Sequence, residues 1–241
     1  MIPRVSTGIP GLDDLIKGGF PISSVILLSG TPGTGKSVFI QQFIYYGLTQ
    51  GNPAIFVAVD HQLSFVRKSF DSLGWDITKY EENGQMLFVD CFSKRLGLKS
   101  ESKYVVDSID NPERILMGIE KAHSGLSRNG PVRIVMDSMS TLLTVAEPKS
   151  MYRFIQKVHA FSESHPAVVL AILRAGTHHM NVQRAIEGLV DGIVALEKTM
   201  TEKEVDRDLY IHKMHPTYHK TACFPFKITE NGIELEARKW I

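Results

Sequence analysis

The chain has little cysteine, no long apolar run and almost no net charge, and each shortage removes a class of protein. Cysteine occurs twice in 241 residues, as Cys91 and Cys223. The two could pair only if the fold brought them together, which nothing in the sequence requires. Both read as small apolar residues in or near strands, and neither belongs to a pair at zinc-ligand spacing. No apolar run approaches the roughly 18 residues of a membrane span, and the opening MIPRVSTGIPG lacks the continuous apolar block of a secretory signal. The expectation is a cytoplasmic protein that does not engage a membrane. A formal net charge of +1 lacks the basic excess of a dedicated duplex-DNA binder, although a local basic loop stays compatible with nucleic acid. Nine histidines are present, including His178-His179 and the group His212, His215 and His219. No carboxylate or cysteine accompanies them at ligand spacing, so they predict no metal site. Linkers, repeats and low-complexity tracts are also missing, which predicts a single domain over residues 1–241.

What is present is a globular profile, 43% hydrophobic and 22% charged, in which short apolar runs alternate with helical patterns. The runs are residues 24–29 (SVILLS), 54–60 (AIFVAVD), 86–92 (MLFVDCF), 132–139 (VRIVMDSM) and 167–174 (AVVLAILR). Their near-continuous hydrophobicity suits strands buried on both faces, as in a parallel sheet covered by helices. Between them lie helical stretches at 36–48, 62–73 and 149–163. Asn111, Pro112 and Glu113 open another as cap, first-turn proline and first-turn acid, reaching to about Arg128. In 62–73, Leu63, Val66, Phe70 and Leu73 share one face, and Gly74 stands at the C-terminal cap. This alternation predicts an α/β fold with a mostly parallel central sheet flanked by helices. Residues 191–199, 207–215 and 224–235 are extended segments, with a tight-turn signal at Asn231-Gly232, and predict a C-terminal antiparallel extension. The polar stretch 93–110 predicts a mobile loop.

The strongest signal is GTPGTGKS, residues 30–37, which matches G-x-x-x-x-G-K-[ST] and lies between an apolar strand and a helical pattern. The segment Gly30, Thr31, Pro32, Gly33, Thr34, Gly35, Lys36 and Ser37 is therefore the expected nucleotide cradle. Its glycines let successive N–H groups point at phosphate oxygens, and the helix N-terminus beneath adds partial positive charge. Lys36 is expected to reach the β and γ phosphates, and the Ser37 hydroxyl to ligate Mg²⁺. VRIVMD ends in Asp137, an acid at the end of a neighbouring strand, placed to hold the same metal through water.

These residues resemble the KaiC-like branch of the RecA superfamily of ATPases. STGIPGLDDLIKGGFP, residues 6–21, is similar to the family's opening signature. Residues 30–37 and 132–138 match its two Walker motifs, and 73–90 and 224–233 are also similar to KaiC segments. The likeness extends over nearly the whole chain, weakest at 93–110, and is nearest to proteins made of a single KaiC-like domain. It implies a RecA-like P-loop core, ATP or ADP with Mg²⁺ as ligands, and self-association into a homohexameric ring with nucleotide at subunit interfaces. It further implies that basic residues on a late strand complete a neighbour's site, positions matched here by Arg207 and Lys213. Two positions depart from the pattern. The family's Glu-Glu pair is replaced by Asp60-His61. Asp60 either polarises water from a carboxylate drawn back by roughly 1.5 Å, or caps the helix beginning near Gln62. His61 is an alternative water-positioning group. His215 replaces an arginine and carries less charge at pH 7. Both departures predict ATP binding with slow hydrolysis, alongside a reading as a nucleotide-binding assembly module with negligible turnover. A recombinase-like reading places residues 174–187 at a ring axis, where Arg174, His178, His179 and Arg184 would meet single-stranded DNA. That stretch lacks aromatic platforms, so nucleic acid is possible but not indicated.

Overall fold

The computed structural model describes residues 2–127, 130–200 and 205–236. A small antiparallel ribbon of β1 (Arg4–Val5) and β2 (Phe20–Pro21) encloses the short helix α1 (Leu12–Leu15). Asp13 ties this opening segment together, accepting from the Thr7 amide at 2.9 Å and the Thr7 hydroxyl at 2.6 Å.

The remaining described strands form one ten-stranded sheet. They are β3 (Ser24–Gly30), β4 (Ala54–Ala58), β5 (Met86–Asp90), β6 (Tyr104–Val105), β7 (Val132–Asp137), β8 (Ala167–Arg174), β9 (Gly192–Met200), β10 (Val205–Met214), β11 (Phe224–Thr229) and β12 (Gly232–Leu235). Their order across the sheet is β12-β11-β10-β9-β3-β8-β7-β4-β5-β6. From β9 to β6 every pairing is parallel, and β10, β11 and β12 add an antiparallel meander at the other end. The segment 191–199 thus belongs to the parallel sheet, and the antiparallel extension begins one strand later than the sequence predicts. Its alternation is masked because β9 is buried on both faces over its first five residues.

Helices α2 (Lys36–Thr49), α3 (Leu63–Asp71) and α4 (Thr78–Glu82) cover one face, while α5 (Glu113–Ser124) and α7 (Pro148–Ser164) cover the other. Side chains of a strand alternate between faces, so Ile26 and Leu28 of β3 pack with Phe39 and Phe43, whereas Val25 and Leu27 pack with Ile115, Phe154 and Val158. Helix α6 (Met139–Val145) follows β7 directly, and α8 (Met180–Leu189) follows β8. Asn111 Oδ1 accepts from the Glu113 amide at 3.1 Å, as the cap signal requires. Helix α5 stops at Ser124, short of the expected end near Arg128, which lies outside the described residues. The stretch 93–110 is more structured than expected. It holds a 3₁₀ turn and β6, and buried Asp90 accepts from the Phe92 and Ser93 amides at 2.9 Å and from Ser100 Oγ at 2.6 Å. Among the described residues no helix is long and apolar enough to cross a membrane.

Candidate functional site

The segment 30–37 joins the end of β3 to the start of α2, the strand–turn–helix setting its chemistry needs. Gly35 caps α2 with φ 101°, a left-handed conformation, and a Cβ there would come within 2.7 Å of Ile228 Cδ1. A Cβ on Gly30 would meet the Leu196 carbonyl oxygen at 2.4 Å. The loop is therefore both turned and squeezed so that only hydrogen fits at these positions. The buried Thr34 hydroxyl donates to the Thr31 carbonyl at 3.0 Å, bracing the turn from within.

Lys36 is only 8% exposed, and its Nζ donates to the Thr31 carbonyl at 2.7 Å. Burial lowers its pKa, and the positive charges of Arg174 and Lys198 push the same way. Three cations thus converge on one loop, and together with the α2 N-terminus they form a setting for a polyanion. Lys198 approaches so closely that its Nζ would lie 3.0 Å from a Cβ on Gly33.

Opposite the loop stand the acids. A cleft of about 360 Å³ is bounded by Pro32, Gly33, Lys36 and Ser37 on one side and by Asp60, His61, Asp137 and Arg174 on the other. Asp137 ends β7, as expected, but β7 does not neighbour β3: β8 lies between them. The inserted strand sets the width between loop and acid. Burial raises the Asp137 carboxyl to about 6, and the nearby Asp60 charge adds to the rise. A carboxyl so poorly offset fits a divalent cation, which would neutralise it between Asp137 and the Ser37 hydroxyl.

Asp60 follows β4. Its Oδ2 accepts from Ser138 Oγ at 2.7 Å and from Arg174 Nη2, and its Oδ1 accepts from Thr141 Oγ1. Ser138 is the N-cap residue of α6, Thr141 lies on α6 and Arg174 ends β8. Helix α3 has Gln62 at its N-cap with no side-chain cap bond, so the helix-capping alternative for Asp60 is corrected. His61 lines the cleft at its exposed rim, its ring 4.6 Å from that of Phe65.

Arg174 and Lys198 were not among the expected nucleotide contacts. Arg174 pairs in register with Gly30, the first residue of the loop, and Leu196 pairs with Gly30 from the other side, two residues before Lys198. The available signal was a basic residue at or just beyond the end of an apolar strand. The Arg174 guanidinium turns into the cleft, and α8 occupies most of the stretch that follows. His178 and His179 lie between the two elements, and Arg184 sits exposed on α8. Among the described residues no group of three or more His, Cys, Asp or Glu side chains is placed to hold a metal. Neither Cys91, buried, nor Cys223, half-buried, forms a disulfide, and the Cys223 thiol donates to Asp208 Oδ1 at 2.8 Å.

Arg207 and Lys213 are not brought together. Arg207 pairs with Lys198 at the phosphate-loop end of β10, whereas Met214 pairs with Gly192 at the opposite end of the sheet. Six residues of strand separate the two cations by roughly 20 Å. Lys213 Nζ donates to the Val190 carbonyl at 2.5 Å and to those of Glu187 and Gly188 at 3.3 Å. Arg207 Nε is buried without a hydrogen-bond partner among the described residues. His215 is exposed beyond the far end of β10.

A family model for the KaiC ATPase matches residues 5–239. The chain is 35% identical over 236 residues to a UPF0273 protein of Pyrococcus furiosus, covering 97% of this chain and 94% of that protein. It is 37% identical over 234 residues to a UPF0273 protein of Methanocaldococcus jannaschii, with 95% of each covered. The crystal structure of a KaiC-like protein from Pyrococcus horikoshii superposes with a TM-score of 0.77 at 27% identity, covering 98% of this chain and all of that one. With the cradle, the acid at the end of β7 and the RecA-like strand order in place, the chain belongs to the KaiC ATPase family.

Proposed function

We propose that this chain acts as one domain that binds Mg-ATP at residues 30–37 and hydrolyses it slowly. It works as a self-associated ring, a homohexamer, with nucleotide between subunits. The observation that carries this reading is the cleft itself, with Lys36, Arg174 and Lys198 crowding one loop while Asp60 and Asp137 face it. Such crowding is unfavourable without an anion and is relieved by a triphosphate.

In this account the loop amides and the α2 N-terminus hold the phosphates. Lys36 exchanges the Thr31 carbonyl for a phosphate oxygen. Ser37 and Asp137 hold magnesium, which when bound offsets negative charge on the phosphates. Asp60 is the acceptor that orients water, and His61 at the rim is the second candidate for that role. Lys213 of one subunit serves a neighbour's phosphates in this account, a role supported by its position at the far end of the sheet from its own loop. Arg207 lies at its own loop's end and fits a role within its own subunit better.

The second reading, a nucleotide-binding assembly module with negligible turnover, is favoured by one specific observation. Asp60 is held by Arg174, Ser138 and Thr141 together, so both of its oxygens are already engaged and neither is left free for water. A recombinase-like function on single-stranded DNA loses support, because Arg174 faces the nucleotide cleft. Phosphate release by the purified protein, compared with Lys36→Ala, separates the first two readings. A wild type faster than the variant supports hydrolysis. Equal rates remove the enzyme and leave the module.

A further inference from the structure

The ion pair between Arg174 and Asp60 borders the same cleft as Lys36 and Ser37 of the phosphate loop, and its two halves are unequally fixed. Asp60 has a side chain 7% exposed and two further donors, Ser138 Oγ and Thr141 Oγ1. Removing Arg174 from it would therefore not strand a buried carboxylate. Arg174 is different. Its side chain is 43% exposed and borders the cleft. A guanidinium has five N–H donors, and only Nη2 is engaged with Asp60. Its backbone is pinned, the amide donating to Ser140 Oγ at 2.7 Å and the carbonyl accepting from Thr177 Oγ1 at 2.8 Å. The side chain can thus move while its root stays in place. Gly30, its register partner, is the first residue of the phosphate loop.

We propose that Arg174 is a positioning residue that leaves Asp60 for the terminal phosphate of a bound nucleoside triphosphate, freeing Asp60 to orient water only when that phosphate is present. The inference rests on the nucleotide reading above. A guanidinium favours phosphate oxygens because they carry more charge than one carboxylate and accept from its planar fork. A diphosphate ends short of Arg174, so the ion pair persists and the acid stays occupied. The exchange makes the site self-inhibited when empty or holding product. No bond to the protein is made or broken; one guanidinium changes partner.

The test is calorimetric binding of Mg-ADP and of a non-hydrolysable ATP analogue to wild type, Arg174→Gln, Arg174→Lys, Asp60→Asn and the Asp60→Asn/Arg174→Gln double variant. Wild type is expected to prefer the triphosphate, and Arg174→Gln to reduce that preference by about 10-fold or more, with Arg174→Lys between them. Asp60→Asn frees the guanidinium, so triphosphate binding tightens more than diphosphate binding, and the double variant abolishes this gain. A purely structural Arg174 would weaken both nucleotides alike. An unchanged preference in Arg174→Gln overturns the inference while leaving nucleotide binding intact. If Arg174→Gln does not fold, an unselective gain in Asp60→Asn overturns it equally. Wild type binding neither nucleotide overturns the nucleotide reading, and this inference with it.

Discussion

The Lys213 ammonium lies 2.5 Å from the Val190 carbonyl oxygen, just past the end of α8 in its own subunit. A cation on the last carbonyls of a helix satisfies orphan acceptors and offsets the negative end of the helix dipole. Any service to a neighbouring site therefore competes with this local role.

Two losses follow for Lys213→Ala, and they separate. The subunit should lose about 0.5–1 kcal/mol in urea unfolding, from the helix end alone. Hydrolysis should also fall, and mixing decides whether it falls through the neighbour. Rings co-assembled from Lys36→Ala and Lys213→Ala chains should regain roughly a quarter of wild-type phosphate release, because random mixing restores that share of sites. No recovery on mixing would assign Lys213 to its own subunit.

The Asp137 carboxyl gives a pH dependence with a definite sign. Its pKa rises from 3.8 to about 6 through burial, with Asp60 adding to it. The folded state then binds the proton more tightly than the unfolded state. Stability falls as pH climbs from about 4 to about 6, and the cost is complete above that range. Asp137→Asn should gain on the order of 1–3 kcal/mol at pH 8 and almost nothing near pH 3.5, read by urea unfolding at both values. Magnesium dependence of nucleotide binding should weaken below about pH 6, as the proton displaces the metal. Equal unfolding of both proteins at pH 8 would remove this assignment.

Much of the site is legible because its chemistry is local. The loop 30–37 and Asp137 are each announced by a strand end, and both line one cleft. What is not legible is strand order. Nothing in VRIVMD reveals that β8 intrudes between β7 and β3, and so nothing marks Arg174 as Gly30's partner. The same limit hides β9, whose apolar first half belongs to the parallel sheet while its exposed end carries Lys198 toward the loop. Similarly, Arg207 and Lys213 look equivalent along one segment until register places them at opposite ends of β10.

Arg133 shows a different gap. It interrupts an apolar strand yet is 1% exposed, donating to the Phe43 carbonyl at 2.9 Å and to Asn52 Oδ1 at 3.1 and 3.2 Å. Its guanidinium lies 4.5 Å from the Phe43 ring centroid, and burial lowers its pKa to about 10. Arg133→Ala should cost about 3 kcal/mol in urea unfolding, through the cavity and the acceptors left behind. Arg133→Met fills most of the space without carrying charge, and should cost clearly less. Equal losses in the two variants would mean that volume is irrelevant there.

The most direct measurement is a calorimetric titration of Mg-ATP into wild type and into Lys36→Ala, with folding of the variant checked by circular dichroism. The account predicts a saturable heat in wild type and, in the folded variant, affinity weaker by about 100-fold or undetectable, as loss of a charge-assisted phosphate contact implies. No heat in wild type, or the same affinity in both proteins, would contradict it.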